Sequence, residues 1–97
     1  MSTSICAAIA TRSVIKFRYD GAVRIVEPHC HGRSRAGNEV LRAYQVGGGS
    51  DSGESRGWKL FEISKMSVVE DTGESFPSNG PGYNPHDRAM VSIHCSV

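Results

Sequence analysis

Hydrophobic residues recur first at helical spacing and then in alternation. Ile5, Ala8 and Ile9 lie one turn apart after a run of residues that favour helix N-caps, Ser2 to Ser4. This pattern predicts a short helix with one apolar stripe. The alternation that follows predicts strands over residues 14–18, 22–26, 39–46, 58–63, 66–70 and 90–97.

The turn at residues 19–21 (Tyr-Asp-Gly) indicates a hairpin between the first two strands. A two-residue loop would pair Phe17 with Arg24, whereas a three-residue loop with a bulge would pair Phe17 with Val23. We favour the longer loop, because burying Arg24 against Phe17 would be costly. That register puts three basic side chains together on the opposite, outer face: Lys16, Arg18 and Arg24.

The remaining pattern indicates short strands joined by irregular segments. Pro28 is expected to end the second strand or to lie at a sheet edge. Residues 47–57 are rich in Gly and Ser and predict a flexible connection, and residues 76–85 predict an irregular segment. Asn84 and Pro85 favour one helical turn over residues 84–87. A mainly β fold follows, as a small, strongly bent sheet or barrel with a short N-terminal helix.

Length and composition favour one domain over residues 1–97. The formal net charge is only +1, but residues 12–42 hold seven basic and three acidic side chains, and residues 43–97 hold four basic and seven acidic ones. The first part could therefore present a basic face to an anion. No run is apolar enough to span a membrane. Without a secretion signal, the three cysteines are expected to be reduced thiols in the cytoplasm.

Five short motifs, in this order, resemble the WYL domain, a bacterial module. They are Ala8-Ile9, Phe17-Arg18-Tyr19, the run Arg24 to Pro28, Leu41-Arg42-Ala43-Tyr44, and the run Arg56 to Ile63 with Trp58 in place of Phe. The resemblance covers roughly residues 5–76 and leaves 77–97 outside it. Glu39-Val40 stand where the family has Trp-Tyr, and Phe61-Glu62 stand where it has Asp-Arg.

The resemblance implies an Sm-like or SH3-like barrel and a non-catalytic sensing module without a cofactor. In such modules the ligand is a nucleotide, an oligonucleotide or a similar anion, and the role is transcriptional regulation. A stand-alone domain of this kind would act through a regulatory protein partner, through self-association, or by binding single-stranded nucleic acid directly. The alternative is an interaction or self-associating barrel domain without a small ligand.

Several side chains are candidates for such a site. Basic and aromatic groups can meet phosphates and stack on a base, and seven are proposed for this role: Lys16, Arg18, Arg24, Arg42, Tyr44, Arg56 and Lys59. Trp58 is expected in the core. His29 and His31 share a strand face in a regular strand and are weak metal candidates, with His94, Cys95 or Cys6 to complete a site, although their spacing matches no standard zinc motif. We expect no metal and no catalytic residue.

Overall fold

The computed structural model describes residues 4–49 and 56–97, so that residues 50–55 of the predicted flexible connection lie outside the described part. Within these two ranges the elements are one helix, six strands and a single 3-10 turn: α1 (Ile5–Ala10), β1 (Ser13–Tyr19), β2 (Ala22–Arg33), β3 (Glu39–Gly48), β4 (Gly57–Glu62), the 3-10 turn (Ile63–Lys65), β5 (Ser67–Ser75) and β6 (Ser92–Ser96).

The strands form one antiparallel sheet in the order β4-β3-β2-β1-β5, with β6 paired to β2. The predicted mainly β fold with a short N-terminal helix is therefore confirmed. Within the described ranges β4 and β5 do not pair, so the sheet is open rather than a closed barrel. None of the described helices is long and apolar enough to cross a membrane.

The helix α1 packs its apolar stripe on one side of the sheet, which we call the inner face. Of the three predicted N-cap candidates, Ser4 accepts a hydrogen bond from the Ala7 amide and caps the helix, while Ser2 and Thr3 lie outside the described residues. Ala8 and Ile9 are buried. They join one core with residues from β1 to β4: Ile15, Phe17, Val26, Leu41, Ala43 and Phe61.

The predicted register of the first hairpin is wrong. Tyr19 pairs with Ala22 and Phe17 with Arg24, so the loop is the two-residue Asp20-Gly21 turn, in which both residues have positive φ (50° and 78°). Arg24 is 3% exposed. Its guanidinium donates to the Tyr19 carbonyl, with the shorter contact at 3.2 Å, and lies 5.6 Å from the centre of the Tyr19 ring. The Tyr19 carbonyl and ring offset the desolvation cost of burying Arg24, which was the reason for preferring the longer loop.

Strand β2 continues through Pro28 instead of ending there. Its first half pairs with β1 and its last four residues pair with β6 along the same edge. Pro28 lies in the gap between those two partners, where a missing N–H leaves no ladder bond unmade. A bulge follows: Pro28 faces Ala43, Cys30 faces Arg42, and His29 is the extra residue. The bulge turns both His29 and Cys30 toward the second side of the sheet, which we call the outer face.

The segment 76–91 covers the outer face of β3 and β4. Its turns replace the predicted helical turn over 84–87, which is wrong: the Asn84 side chain accepts from the His86 amide, and Asp87 accepts from the Ala89 amide. The predicted last strand forms as β6, where Cys95 is partly buried and Ile93 is exposed.

A disulfide joins Cys6 of α1 to Cys95 of β6, with a Cα–Cα distance of 5.7 Å. The prediction of three reduced thiols is therefore wrong for this pair. The two cysteines are 89 positions apart, so no local sequence pattern indicates that they lie close together in the fold. Only the pairing of β6 with the end of β2 brings Cys95 beside α1. Cys30 is the remaining free cysteine, and it is buried.

Candidate functional site

The seven predicted ligand-binding residues do not share one face. Lys16 and Arg18 lie on the outer side of β1, opposite Ile25 and Val23 of β2, while Arg24 lies on the inner face opposite Phe17. The predicted grouping of Arg24 with Lys16 and Arg18 is thus wrong, because the two-residue turn shifts the pairing by one position.

Acidic side chains lie close to several of the basic ones. Lys16 Nζ is 3.5 Å from a Glu70 carboxylate oxygen, with both groups about half exposed. Glu27 faces Tyr44 across β2 and β3. Burial raises the pKa of Glu27, and the nearby Arg56 charge opposes that rise. The outer side of the sheet therefore carries mixed charge rather than a continuous basic surface.

Strand β4 divides its candidates between the two sides of the sheet. Trp58 pairs with Tyr44, and both side chains lie on the outer face with ring centres 5.3 Å apart. Lys59 pairs with the buried Ala43 and so belongs to the inner side. Of the seven predicted residues, Tyr44 contacts the Trp58 ring on the outer face, and Arg42 lies on the same face beside Trp58.

Arg42 forms a bidentate ion pair with Asp87. The Nε–Oδ2 and Nη2–Oδ1 distances are 2.6 Å and 3.2 Å, and the Asp87 side chain is only 8% exposed. The hydrogen bonds from Arg42 lower the pKa of Asp87 against the opposing effect of burial. The pair fixes the guanidinium plane, while the second terminal nitrogen of Arg42 remains outside this contact.

An open cavity of about 240 Å³ lies next to this ion pair. Two aromatic rings stack beside it: Trp58 and Tyr83 have centres 5.8 Å apart and planes inclined by 29°. Trp58 Nε1 donates to the Pro81 carbonyl at 2.7 Å, which holds the indole in place. We call this cavity the Arg42 pocket, and six residues line it: Arg42, Trp58, Gly82, Tyr83, Asn84 and Asp87.

His29 is a structural residue of the outer face. Its Nδ1 lies 2.7 Å from the Glu27 carbonyl, and its Nε2 accepts from the Gly80 amide at 2.9 Å. This network assigns the neutral tautomer with the proton on Nδ1. Burial lowers the pKa of His29, in keeping with a neutral ring. Both nitrogens are occupied, so His29 has no lone pair left for a metal, and its predicted pairing with His31 is wrong because of the bulge.

His31 lies on the inner side and belongs to a different cluster. Its Nε2 is 3.2 Å from Glu39 Oε1, and His94 Nε2 is 2.9 Å from the same oxygen. Its Nδ1 faces Cys6 Sγ at 3.7 Å. Burial lowers the pKa of His31, and hydrogen bonding from Arg33 lowers the pKa of Glu39. The neutral imidazole and the ionised carboxylate are thereby favoured.

Cys30 lacks the surroundings of a reactive thiol. It is fully buried and donates to the Met90 sulfur at 3.5 Å. Burial raises the pKa of Cys30, so the thiolate is disfavoured.

Sequence patterns missed most of the Arg42 pocket. Trp58 is only partly buried and lines the cavity instead of filling the core. Tyr83, Asn84 and Asp87 come from the irregular segment, which no periodic pattern places against β3. The one available signal was the cluster of Tyr, Asn and Asp in a segment rich in Pro and Gly, a composition that often presents binding groups. Comparisons with known families, with curated proteins and with solved structures find no match to this chain.

Proposed function

We propose that this protein is a non-catalytic binding module for a nucleotide or a base of single-stranded nucleic acid, and that the Arg42 pocket is its binding site. The observation that carries the proposal is an arginine fork, fixed by Asp87, beside the stacked rings of Trp58 and Tyr83. An aromatic ring can stack on a base, and a guanidinium with free donors can bind a phosphate oxygen.

The size of the pocket limits the ligand. Its 240 Å³ is below the roughly 300 Å³ at which most small-molecule pockets begin. It suits one base with its phosphate, and its openness to solvent suits a base that belongs to a longer strand. The mixed charge around Lys16 and Arg56 favours modest affinity over tight binding of a polyanion.

The wider biological role rests on the resemblance to WYL domains. Transcriptional regulation and a regulatory protein partner are parts of the proposal that follow from that resemblance, and a cytoplasmic location is a separate part of it. The Cys6–Cys95 disulfide bears on location, because such bonds persist mainly in oxidising compartments. Thiol trapping in intact cells would decide between a reducing cytoplasm and an oxidising compartment.

Binding can be followed through fluorescence of the single tryptophan, Trp58. We expect nucleoside monophosphates and short single-stranded oligonucleotides to quench it, with an affinity that falls as salt rises. The double variant Arg42→Ala/Asp87→Ala removes both charges of the buried pair and should abolish quenching while the fold is kept. The matched control is Arg18→Gln, which removes one exposed charge away from the pocket.

Equal losses in the double variant and in Arg18→Gln would indicate general attraction of phosphates and would refute a specific pocket. Absence of quenching in the wild type at low salt would refute the proposal outright.

A second candidate function is self-association through β6. Among the described strands, β6 pairs with β2 alone; Val91, which precedes it, and Ile93, which lies within it, are 61% and 44% exposed. Light scattering at high protein concentration tests this function, since a monomer would exclude stable self-association.

A further inference from the structure

We propose that His31, Glu39 and His94 form a binding site for a divalent transition-metal cation of the zinc class. This site is independent of the Arg42 pocket. It lies on the inner side of β2, whereas Arg42 faces Cys30 on the outer side.

Three strands bring the donors together. His31 is in β2, Glu39 begins β3 opposite Arg33, and His94 comes from β6. His31 pairs with Cys95 and Gly32 pairs with Ile93, so that His94 is an extra residue in a bulge. A regular strand would direct His94 away from the side occupied by Cys95. The bulge re-aims it, and the two imidazole rings lie with their centres 5.0 Å apart.

The distances suit one cation. The two histidine Nε2 atoms lie 3.2 Å and 2.9 Å from the same Glu39 oxygen, and the three donor atoms lie within 4.8 Å of one another. Zinc–nitrogen and zinc–oxygen bonds of about 2.0–2.1 Å in a tetrahedron separate neighbouring donors by about 3.3 Å. The two histidine–carboxylate distances, 3.2 Å and 2.9 Å, lie close to this value.

The surroundings also suit a metal site. Arg33 Nε donates to the other Glu39 oxygen at 3.1 Å and orients the carboxylate. His31 Nδ1 faces Cys6 Sγ, which leaves Nε2 as the nitrogen directed toward Glu39 and His94. Hydrogen bonds to a ligating carboxylate, such as the one from Arg33, orient the ligand toward a metal. Two histidines and one carboxylate leave a coordination position for water, so binding of zinc, cobalt or nickel is expected rather than of calcium or magnesium.

The test is titration of the metal-free protein with zinc by calorimetry and with cobalt by absorption, with the disulfide intact. We expect one metal per chain and a higher melting temperature with zinc. His94→Ala and Glu39→Gln should each weaken binding at least tenfold, and the matched control His86→Ala, another histidine exposed to solvent, should bind like the wild type.

Three results would overturn the proposal. The first is wild-type binding no tighter than that of His94→Ala. The second is an equal loss in His86→Ala. The third is binding that appears only after reduction, shows cobalt–thiolate absorption and survives Glu39→Gln, which would assign the metal to Cys6 and Cys95 instead. Because nucleotide quenching of Trp58 needs neither His94 nor Glu39, failure of this site leaves the Arg42 pocket untouched.

Discussion

The Cys6–Cys95 disulfide is expected to supply a large part of the stability of this protein. It closes a loop spanning 89 positions, nearly the whole chain. In the chain-entropy account, a loop of this length removes about 4–5 kcal/mol of unfolded-state entropy at 25 °C. A small domain is stable by about 5–15 kcal/mol in all, so reduction should remove between about a third and nearly all of the free energy of unfolding.

Urea unfolding with and without a reductant measures this contribution. With m-values of about 1–2 kcal/mol/M, the midpoint should fall by on the order of 2–5 M on reduction. The Cys6→Ala/Cys95→Ala variant should unfold like the reduced wild type and should no longer respond to the reductant. Denatured, unreduced protein should show one free thiol, that of Cys30. Three free thiols, or a stability difference below about 1 kcal/mol, would refute this reasoning.

Three further changes test the packing. Asp87→Asn should cost about 1–3 kcal/mol at pH 7. The folded-state pKa of Asp87 lies below its ordinary 3.8, so this stabilisation is present above that value and is lost as the pH falls through the folded-state pKa; urea unfolding at pH 7 and pH 3 should therefore show the gap closing. Arg24→Ala should cost about 2–4 kcal/mol in the same assay, whereas the exposed Arg18→Ala should stay within about 0.5 kcal/mol. Gly32→Ala would place a Cβ 2.7 Å from the Met90 sulfur and against the Ser92 carbonyl, so faster hydrogen exchange in β6 is expected; unchanged exchange would argue against this close crossing.

The sequence predicted the elements of this fold better than their registers. Hydrophobic patterning located each of the described strands, because a strand with a buried side shows period-two alternation. It did not fix their bounds: only residues 22–26 of β2 were predicted, whereas the strand runs from Ala22 to Arg33. The hairpin register failed because a general rule against burying arginine took no account of the Tyr19 ring and carbonyl, which satisfy Arg24. Local sequence indicates the desolvation cost of a charge, but not the partners that the fold brings to it.

For the candidate sites, too, the residue types could be predicted from the sequence, but their positions in the fold could not. His31 and His94 were both recognised as possible ligands, but His29 was paired with His31 on the assumption of a regular strand. The bulge at His29 reverses that assignment, and nothing in the run His-Cys-His marks where the extra residue falls. Glu39 was missed as a ligand because its proximity to His94 depends on the pairing of β6 with β2, a contact between distant parts of the chain.

Strand β2 has a consequence for the cooperativity of unfolding. Val26, in its first half, belongs to the inner core, and Cys30, beyond the bulge, belongs to a second cluster with Val40 and Met90 on the outer face. Neither cluster can open fully without breaking the hydrogen bonds of this one strand. We therefore expect the two sides of the sheet to unfold as a single unit, so that loss of a contact on one side also destabilises the other.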